Sequence, residues 1–194
     1  MSALKQQTNQ DYTFEEYLVL EEQAEYKSEY IAGQTVAMAG ASANHNRISK
    51  SCSFAIDQSI EGRSCESFIG DLKVWVKKRN RGFYPDVLVV CGDLEFYKER
   101  RDTITNPKVI IEVLSSSTER IDRSDKFHAY WTLDSFAEYV LIDQYRVHVE
   151  YFRRENQKLW ELQVFTKLED ILTLKSIGVE ISLADIYRNV IFEE

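Results

Sequence analysis

Uninterrupted apolar runs are the clearest pattern along the chain. Residues 86–91 form one run, which is entered through Tyr84-Pro85, and residues 109–114 and 138–142 form two more. Strands that are buried on both faces lack the polar alternation of half-exposed strands. These runs therefore predict central strands of a sheet that is covered on two sides.

Helical signals lie before and between these runs. Thr13-Phe14-Glu15-Glu16 has the form of a capping box and predicts a helix that extends to about residue 24. After Ser42, apolar residues recur at helical spacing over residues 45–56 and predict a second helix. The hydroxyl residues at 115–118 are typical of an N-terminal cap, and they predict a third helix over residues 119–133.

Shorter strand patterns fill the rest of the chain. Residues 30–36 predict a hairpin that turns at Gly33, and residues 68–76 predict one loosely alternating strand. Residues 147–152 and 159–165 predict a hairpin, and a strand at 171–176 precedes a short helix at 183–187. Together these elements predict an α/β fold with a mixed central β-sheet flanked by helices, an N-terminal helix and hairpin, and a C-terminal β-hairpin.

The composition is that of an ordinary globular domain. The 194 residues are 44% apolar and 29% charged, and no repeat or linker divides residues 1–194, so we expect a single domain. No apolar stretch has the length of a membrane span, and the polar residues 1–11 lack a signal-peptide core, so we expect a cytoplasmic protein. Cys52, Cys65 and Cys91 are widely spaced, and we expect them to be reduced and buried.

The net charge of −8 argues against a protein that coats nucleic acid. One local strip is nevertheless basic, and it contains Trp75 and ends just before Asp86. Its charged residues are Lys73, Lys77, Lys78, Arg79 and Arg81. Such a strip suits nucleic-acid binding, but it equally suits a solvated edge strand whose lysines prevent aggregation.

Two acids lie within the apolar runs. Because alternate residues of a strand share a face, Asp86 lies in line with Leu88, and Glu112 lies in line with Ile110. A buried carboxylate needs neutralisation, pairing or a cation. If the two strands are neighbours, both carboxylates and a main-chain carbonyl could share one divalent ion of the magnesium type. Alternatively, each acid lies at a strand end and is hydrated or hydrogen-bonded.

Five further residues are candidates for such a site. Lys126 could stabilise charge on a phosphate, although Asp122 precedes it by four residues and predicts an ordinary surface ion pair. Glu29 could add a carboxylate or belong to a solvated acidic face. His45 could contact a phosphate or be a semi-buried structural histidine. Arg120 and Arg123 could reach DNA phosphates or be solubilising residues.

The order of these segments resembles that of a known family. Tyr84-Pro85-Asp86-Val87, Ile111-Glu112-Val113-Leu114-Ser115, Asp122 with Lys126 and Tyr130, and residues 138–143 are similar to the putative restriction endonuclease family. This family belongs to the PD-(D/E)XK nuclease superfamily. The resemblance extends over residues 12–187 and includes residues 29–33, residues 39–42 and His45.

The resemblance implies a metal-dependent DNA endonuclease. It makes Asp86 and Glu112 ligands of Mg²⁺, with Mn²⁺ as a second option, and the ion would activate a water for phosphodiester hydrolysis. The superfamily pattern has Lys two residues after the Glu, where this chain has Leu114, and the family implies that Lys126 replaces it. Glu29 and His45 would be auxiliary site residues.

The resemblance also implies a homodimer, as in nucleases that pair two sites to cut both strands. Two other functions remain open from the sequence. Leu114 and the acidic net charge agree with an inactive nuclease-fold module that binds nucleic acid or a protein. A hydrolase of small phosphoesters would use the same metal chemistry.

Overall fold

The computed structural model describes residues 11–192. Residues 119–130 form one continuous helix that consists of an α-helical turn, a π-helical turn and a second α-helical turn. The helices are α1 (Phe14–Gln23), α2 (Ala43–Ile60), α3 (Glu119–Ile121, Asp122–Lys126 and Phe127–Tyr130) and α4 (Leu183–Ile186). The strands are β1 (Ser28–Ile31), β2 (Gln34–Ala37), β3 (Cys65–Ile69), β4 (Lys73–Val76), β5 (Arg81–Phe83), β6 (Val87–Cys91), β7 (Thr103–Ile104), β8 (Val109–Leu114), β9 (Glu138–Asp143), β10 (Val149–Asn156), β11 (Leu159–Phe165), β12 (Ile171–Leu174) and β13 (Val179–Ser182).

A six-stranded mixed sheet forms the centre of the molecule. Its strand order is β11-β10-β9-β8-β6-β3, and β8 and β9 are parallel while the other neighbours are antiparallel. Nearly every residue of β6, β8 and β9 is buried. The apolar runs of the sequence are therefore the central strands, as predicted.

Both faces of this sheet are covered. On one face, α2, α4 and the β12–β13 hairpin pack against Val87, Val89, Val109, Ile111 and Val140. On the other face, α3 and a second sheet pack against Leu88, Val90, Ile110, Leu114 and Leu141. This alternation of side chains between two apolar layers explains the continuous apolar sequence of each strand.

The second sheet corrects one prediction. Residues 68–76 do not form a single strand, because the chain turns at Gly70 (φ +67°) and divides between β3 in the central sheet and β4 in the second sheet. The second sheet has the order β2-β1-β5-β4-β7 and includes the predicted N-terminal hairpin with its turn at Gly33 (φ +98°). Near the C-terminus, β12 ends at Leu174 and pairs with β13, a strand that the sequence pattern did not predict.

The cysteine prediction is wrong for two of the three residues. Antiparallel pairing of β3 with β6 places Cys65 opposite Cys91, with their Cα atoms 4.0 Å apart, and a disulfide joins them. The 26-residue separation in sequence did not indicate this, because the strand pairing alone brings the two thiols together. Cys52 is free and buried, as expected.

None of the helices within residues 11–192 has the length and apolar content that a bilayer crossing requires. The predicted lack of a signal-peptide core concerns residues 1–11, and residues 1–10 lie outside the described part of the chain.

Candidate active site

Asp86 and Glu112 lie at the same end of two neighbouring strands. Strands β6 and β8 pair with Val87 opposite Ile111 and Leu88 opposite Ile110. Continuing this register by one residue places Asp86 opposite Glu112. Strand β8 extends beyond the ladder, and the N–H of Val113 there donates to Asp86 Oδ2 at 2.7 Å. The strand pairing therefore brings together the two acids that the sequence singled out.

His45 contacts the same oxygen of Asp86. Ser42 caps α2 and accepts a hydrogen bond from the His45 N–H, which fixes the first turn of the helix. From that turn, His45 Nε2 lies 3.1 Å from Asp86 Oδ2. Both contacts are made to Oδ2, so Asp86 is oriented by the main chain of β8 and by the start of α2.

Lys126 lies among three carboxylates. Its Nζ is 3.1 Å from Glu29 Oε1, 3.2 Å from Glu112 Oε1 and 3.0 Å from Asp122 Oδ1. The Lys126 side chain is only 6% exposed, so its pair with Asp122 is a buried one and not the surface ion pair that the spacing alone indicated. We call Lys126 with Glu29, Glu112 and Asp122 the ammonium cluster.

For both Glu112 and Lys126, burial and the opposite charge of the partner shift the pKa in opposite directions. Burial raises the pKa of the Glu112 carboxyl well above its usual range, although the Lys126 ammonium opposes that rise. Burial alone would lower the pKa of Lys126, but Glu112, Glu29 and Asp122 raise it well above its usual range. Lys126 therefore stays positively charged, while Glu112 accepts a proton more readily than an exposed glutamate does.

The site residues open into one cavity of about 360 Å³, which is within the usual size range of ligand sites. Its lining includes the apolar segment from Val36 to Ala41 and the hydroxyl-rich segment from Ser115 to Thr118. The charged and polar side chains that line it otherwise are Glu29, Ser42, His45, Tyr84, Asp86, Glu112, Asp122, Lys126, Gln144 and Tyr145. Lys126 therefore lines the same cavity as Asp86 and Glu112.

The donor atoms around this cavity fit a divalent ion of the magnesium type. Four carboxylates line the cavity against one ammonium group, so its potential favours a cation. Within residues 11–192, no group of three or more His, Cys, Asp or Glu side chains is arranged to hold a metal ion. Mg²⁺ does not need such a group, because it is usually held by one or two carboxylates and keeps several waters. Asp86 and Glu112 are the pair that would hold it.

The sequence and the fold both have known counterparts. Residues 14–184 match the Uma2 family, which is described as "Putative restriction endonuclease". The chain belongs to this family. This match confirms the resemblance that the sequence motifs indicated, and it covers every candidate residue of the site.

Two relatives and one solved structure are also similar to this chain. Two uncharacterised proteins of Synechocystis sp. are 40% identical over 77% of this chain and 85% of the relative, and 35% identical over 92% of each chain. The crystal structure of a protein from Anabaena variabilis, titled as a putative nuclease belonging to DUF820, superposes with a TM-score of 0.76. The superposition covers 93% of this chain and 99% of that chain. At 21% sequence identity, the likeness shows a shared fold only.

Gln144 is a site residue of this Uma2 chain that the sequence analysis missed. Its side chain is buried at the end of β9, where Nε2 donates to the Leu114 carbonyl at 2.7 Å. Its Oε1 accepts from the hydroxyl of Ser42, the cap of α2. One amide thus joins β9 to the end of β8 and to the helix that carries His45. Only the buried environment reveals this role, because a lone glutamine after a strand has no sequence signal.

We predict that Gln144→Leu lowers the unfolding free energy by about 2 to 3 kcal/mol, because the Leu114 carbonyl and the Ser42 hydroxyl both lose a buried partner. Urea unfolding measures this change. The exposed Gln157 provides the control, since Gln157→Leu should stay within about 0.5 kcal/mol of the wild type. Equal effects of the two substitutions would show that Gln144 does not join these elements.

The basic strip is separate from the cavity, and one of its residues is buried. The side chain of Lys73 is 1% exposed and lies over the rings of Tyr17 and Tyr84, so it cannot bind DNA phosphates. This corrects its prediction as a nucleic-acid contact. All four residues of β4 are buried between neighbouring layers, so Lys73 is enclosed with them. Burial also lowers the pKa of Lys73.

The other predicted nucleic-acid contacts lie outside the cavity lining. Lys77, Lys78 and Arg79 form an exposed 3₁₀ turn, and Lys78 donates to the Thr132 carbonyl at the far end of α3. Arg81 is half-buried and donates to the carbonyls of Arg79 and Asn80. On α3, Arg120 is exposed, and Arg123 pairs with Glu119 and Glu150. None of these residues faces the ammonium cluster.

Proposed function

We propose that this chain is a DNA endonuclease that hydrolyses phosphodiester bonds with Mg²⁺ or Mn²⁺, and that it acts in the cytoplasm. The observation that carries the proposal is the pairing of Asp86 with Glu112 at the end of β6 and β8, in a cavity with a single ammonium group. Membership of a restriction endonuclease-type family supports DNA as the substrate class.

The charges of the cavity support metal dependence. A phosphodiester is an anion, and the carboxylates of this cavity outnumber its one ammonium group, so they would repel the substrate unless a cation is also bound. A divalent ion supplies that charge and, when bound, polarises the phosphate and lowers the pKa of an attacking water. Exposed basic residues do not fill this role, because the basic strip lies outside the cavity.

Each side chain of the site has a distinct task in this proposal. Val113 N–H and His45 hold Oδ2 of Asp86, and this oriented carboxylate would hold the ion. Lys126 lies 3.2 Å from Glu112 Oε1, and Tyr130 donates to the same oxygen at 3.4 Å, so both orient the carboxylate that would hold the ion together with Asp86. Lys126 also supplies the positive charge that offsets charge developing on the phosphate. Glu29 and Asp122 position Lys126.

The experiment is cleavage of supercoiled plasmid by the wild type with Mg²⁺, with Mn²⁺ and with EDTA. We expect nicked and linear products with either metal and none with EDTA. Glu112→Gln, purified in parallel, should be inactive, which excludes a contaminating nuclease. Calorimetric titration should detect Mg²⁺ binding by the wild type and a loss of binding by Glu112→Gln.

The other two functions give different results in the same assays. No cleavage and no Mg²⁺ binding at millimolar concentration would indicate a nuclease-fold binding module, in agreement with Leu114 at the superfamily Lys position. Turnover of model phosphoesters without plasmid cleavage would indicate a hydrolase of small phosphoesters. Either result would overturn the endonuclease proposal.

A further inference from the structure

The outermost strand of the central sheet has an unusual edge. Strand β11 has seven residues and pairs only with β10 among the described residues. Among the described residues, the other outermost strands of the two large sheets are β3, β2 and β7, with five, four and two residues, and Phe96 bridges Ile104 of β7. Long edge strands expose unpaired N–H and C=O groups and pair readily with another strand. Strand β11 is therefore the edge best suited to pair with another chain.

The sequence of β11 lacks the usual protection of such an edge. It reads Leu-Trp-Glu-Leu-Gln-Val-Phe, without a lysine or a proline. Its one charge, Glu161, is neutralised by Arg153 on β10 of the same chain. Leu162 and Val164 are 52% and 51% exposed, although they share a face with the partly buried Trp160. The exposed apolar side chains continue past the strand end at Leu168 and Ile171.

The strand is complementary to itself when it is reversed. In an antiparallel pair with its two-fold axis at Leu162, each Leu162 faces the other copy's Leu162, and Trp160 faces Val164. On the opposite face, Leu159 meets Phe165, and Glu161 meets the uncharged Gln163. Every apolar side chain is thus opposite an apolar one, and no like charges face each other.

We propose that the chain forms a homodimer by antiparallel pairing of β11 with β11 of a second copy. The central sheet would then be continuous through both copies, and the exposed Leu162 and Val164 side chains would each gain an apolar cross-strand neighbour. A second copy is the occupant that this surface fits, because self-pairing places apolar side chains opposite apolar ones and brings no like charges together. This proposal does not depend on the proposed nuclease function.

Light scattering after size exclusion tests the proposal with the full chain. We expect a dimer for the wild type and a dissociation constant raised at least about tenfold for Leu162→Lys, because two ammonium groups would face each other at the axis and apolar burial would be lost. Val19→Lys is the control, since Val19 is 55% exposed on α1, and it should remain dimeric. Circular dichroism should show that both variants are folded.

Cross-linking tests the register. Leu162→Cys should form an intermolecular disulfide under oxidising conditions, because directly opposed side chains at the axis are close enough to bridge. Leu159→Cys should not, because residue 159 faces Phe165 of the other copy. A monomeric wild type at high micromolar concentration, a dimer unaffected by Leu162→Lys, or equal cross-linking of both cysteine variants would overturn the proposal.

Discussion

Asp86→Asn is expected to reduce metal-dependent plasmid cleavage at least about 10³-fold, which corresponds to about 4 kcal/mol of transition-state stabilisation. The substitution keeps the size and shape of the side chain. Its amide oxygen can still accept the Val113 N–H at the end of β8, so the strand ends stay in register. It removes the negative charge that would hold the divalent ion opposite Glu112. Initial rates of plasmid nicking measure the loss.

Two further measurements make this result specific. The unfolding temperature of Asp86→Asn should stay close to that of the wild type, and its Mg²⁺ affinity in a calorimetric titration should fall with its activity. Asp125→Asn is the matched control, because Asp125 is an exposed aspartate on the same helix as Lys126. If Asp86→Asn cleaved at the wild-type rate, Asp86 would not be a metal ligand, and the proposed mechanism would fail.

The sequence predicted the positions of Asp86 and Glu112 because the signal is local. A carboxylate within or next to an uninterrupted apolar run conflicts with burial on both faces, and this conflict can be seen within a few residues. The prediction of a shared ion assumed that the strands carrying the two acids are neighbours, since no local pattern specifies which strands pair. The register between β6 and β8 then determines that the two acids face one another.

Glu138 shows the limit of this signal. It begins the third apolar run and is fully buried, like Glu112, so the same sequence argument applies to it. Its oxygens accept from the Tyr151 hydroxyl and from the N–H and hydroxyl of Ser176, which satisfies the carboxylate without a cation. These donors come from β10 and from the turn after β12. The distinction between a structural and a functional acid thus depends on contacts that are distant in sequence.

For Lys126, too, the sequence could not predict the contacts that are distant in sequence. The spacing of Asp122 and Lys126 predicted their contact correctly, because residues four apart lie on one face of a helix. Whether that contact is exposed or buried depends on the packing of α3 against the central sheet, and the close approach of Glu29 depends on β1 of the second sheet. The sequence could therefore identify Lys126 as a candidate but not the cluster that surrounds it.

Lys126→Met is expected to lower the unfolding free energy at neutral pH by about 3 to 5 kcal/mol, because it leaves Glu29, Glu112 and Asp122 buried without their ammonium partner. Methionine has a similar volume, so packing contributes little to the loss. Urea unfolding measures the change. The additional substitution Asp122→Asn should restore part of the stability, because it removes one uncompensated charge. The effects of the two substitutions on stability are therefore not additive.

The pH dependence of this loss separates buried charge from lost packing. Without Lys126, burial holds the folded-state pKa of the Glu112 carboxyl above its unfolded value of about 4.3, so its charged form destabilises the fold. The cost should therefore be small near pH 4 and should grow as the pH rises through the folded-state pKa. A loss under about 1 kcal/mol that does not vary with pH is what an exposed ion pair would give. That outcome would contradict the buried ammonium cluster and, with it, the placement of Lys126 in the active site.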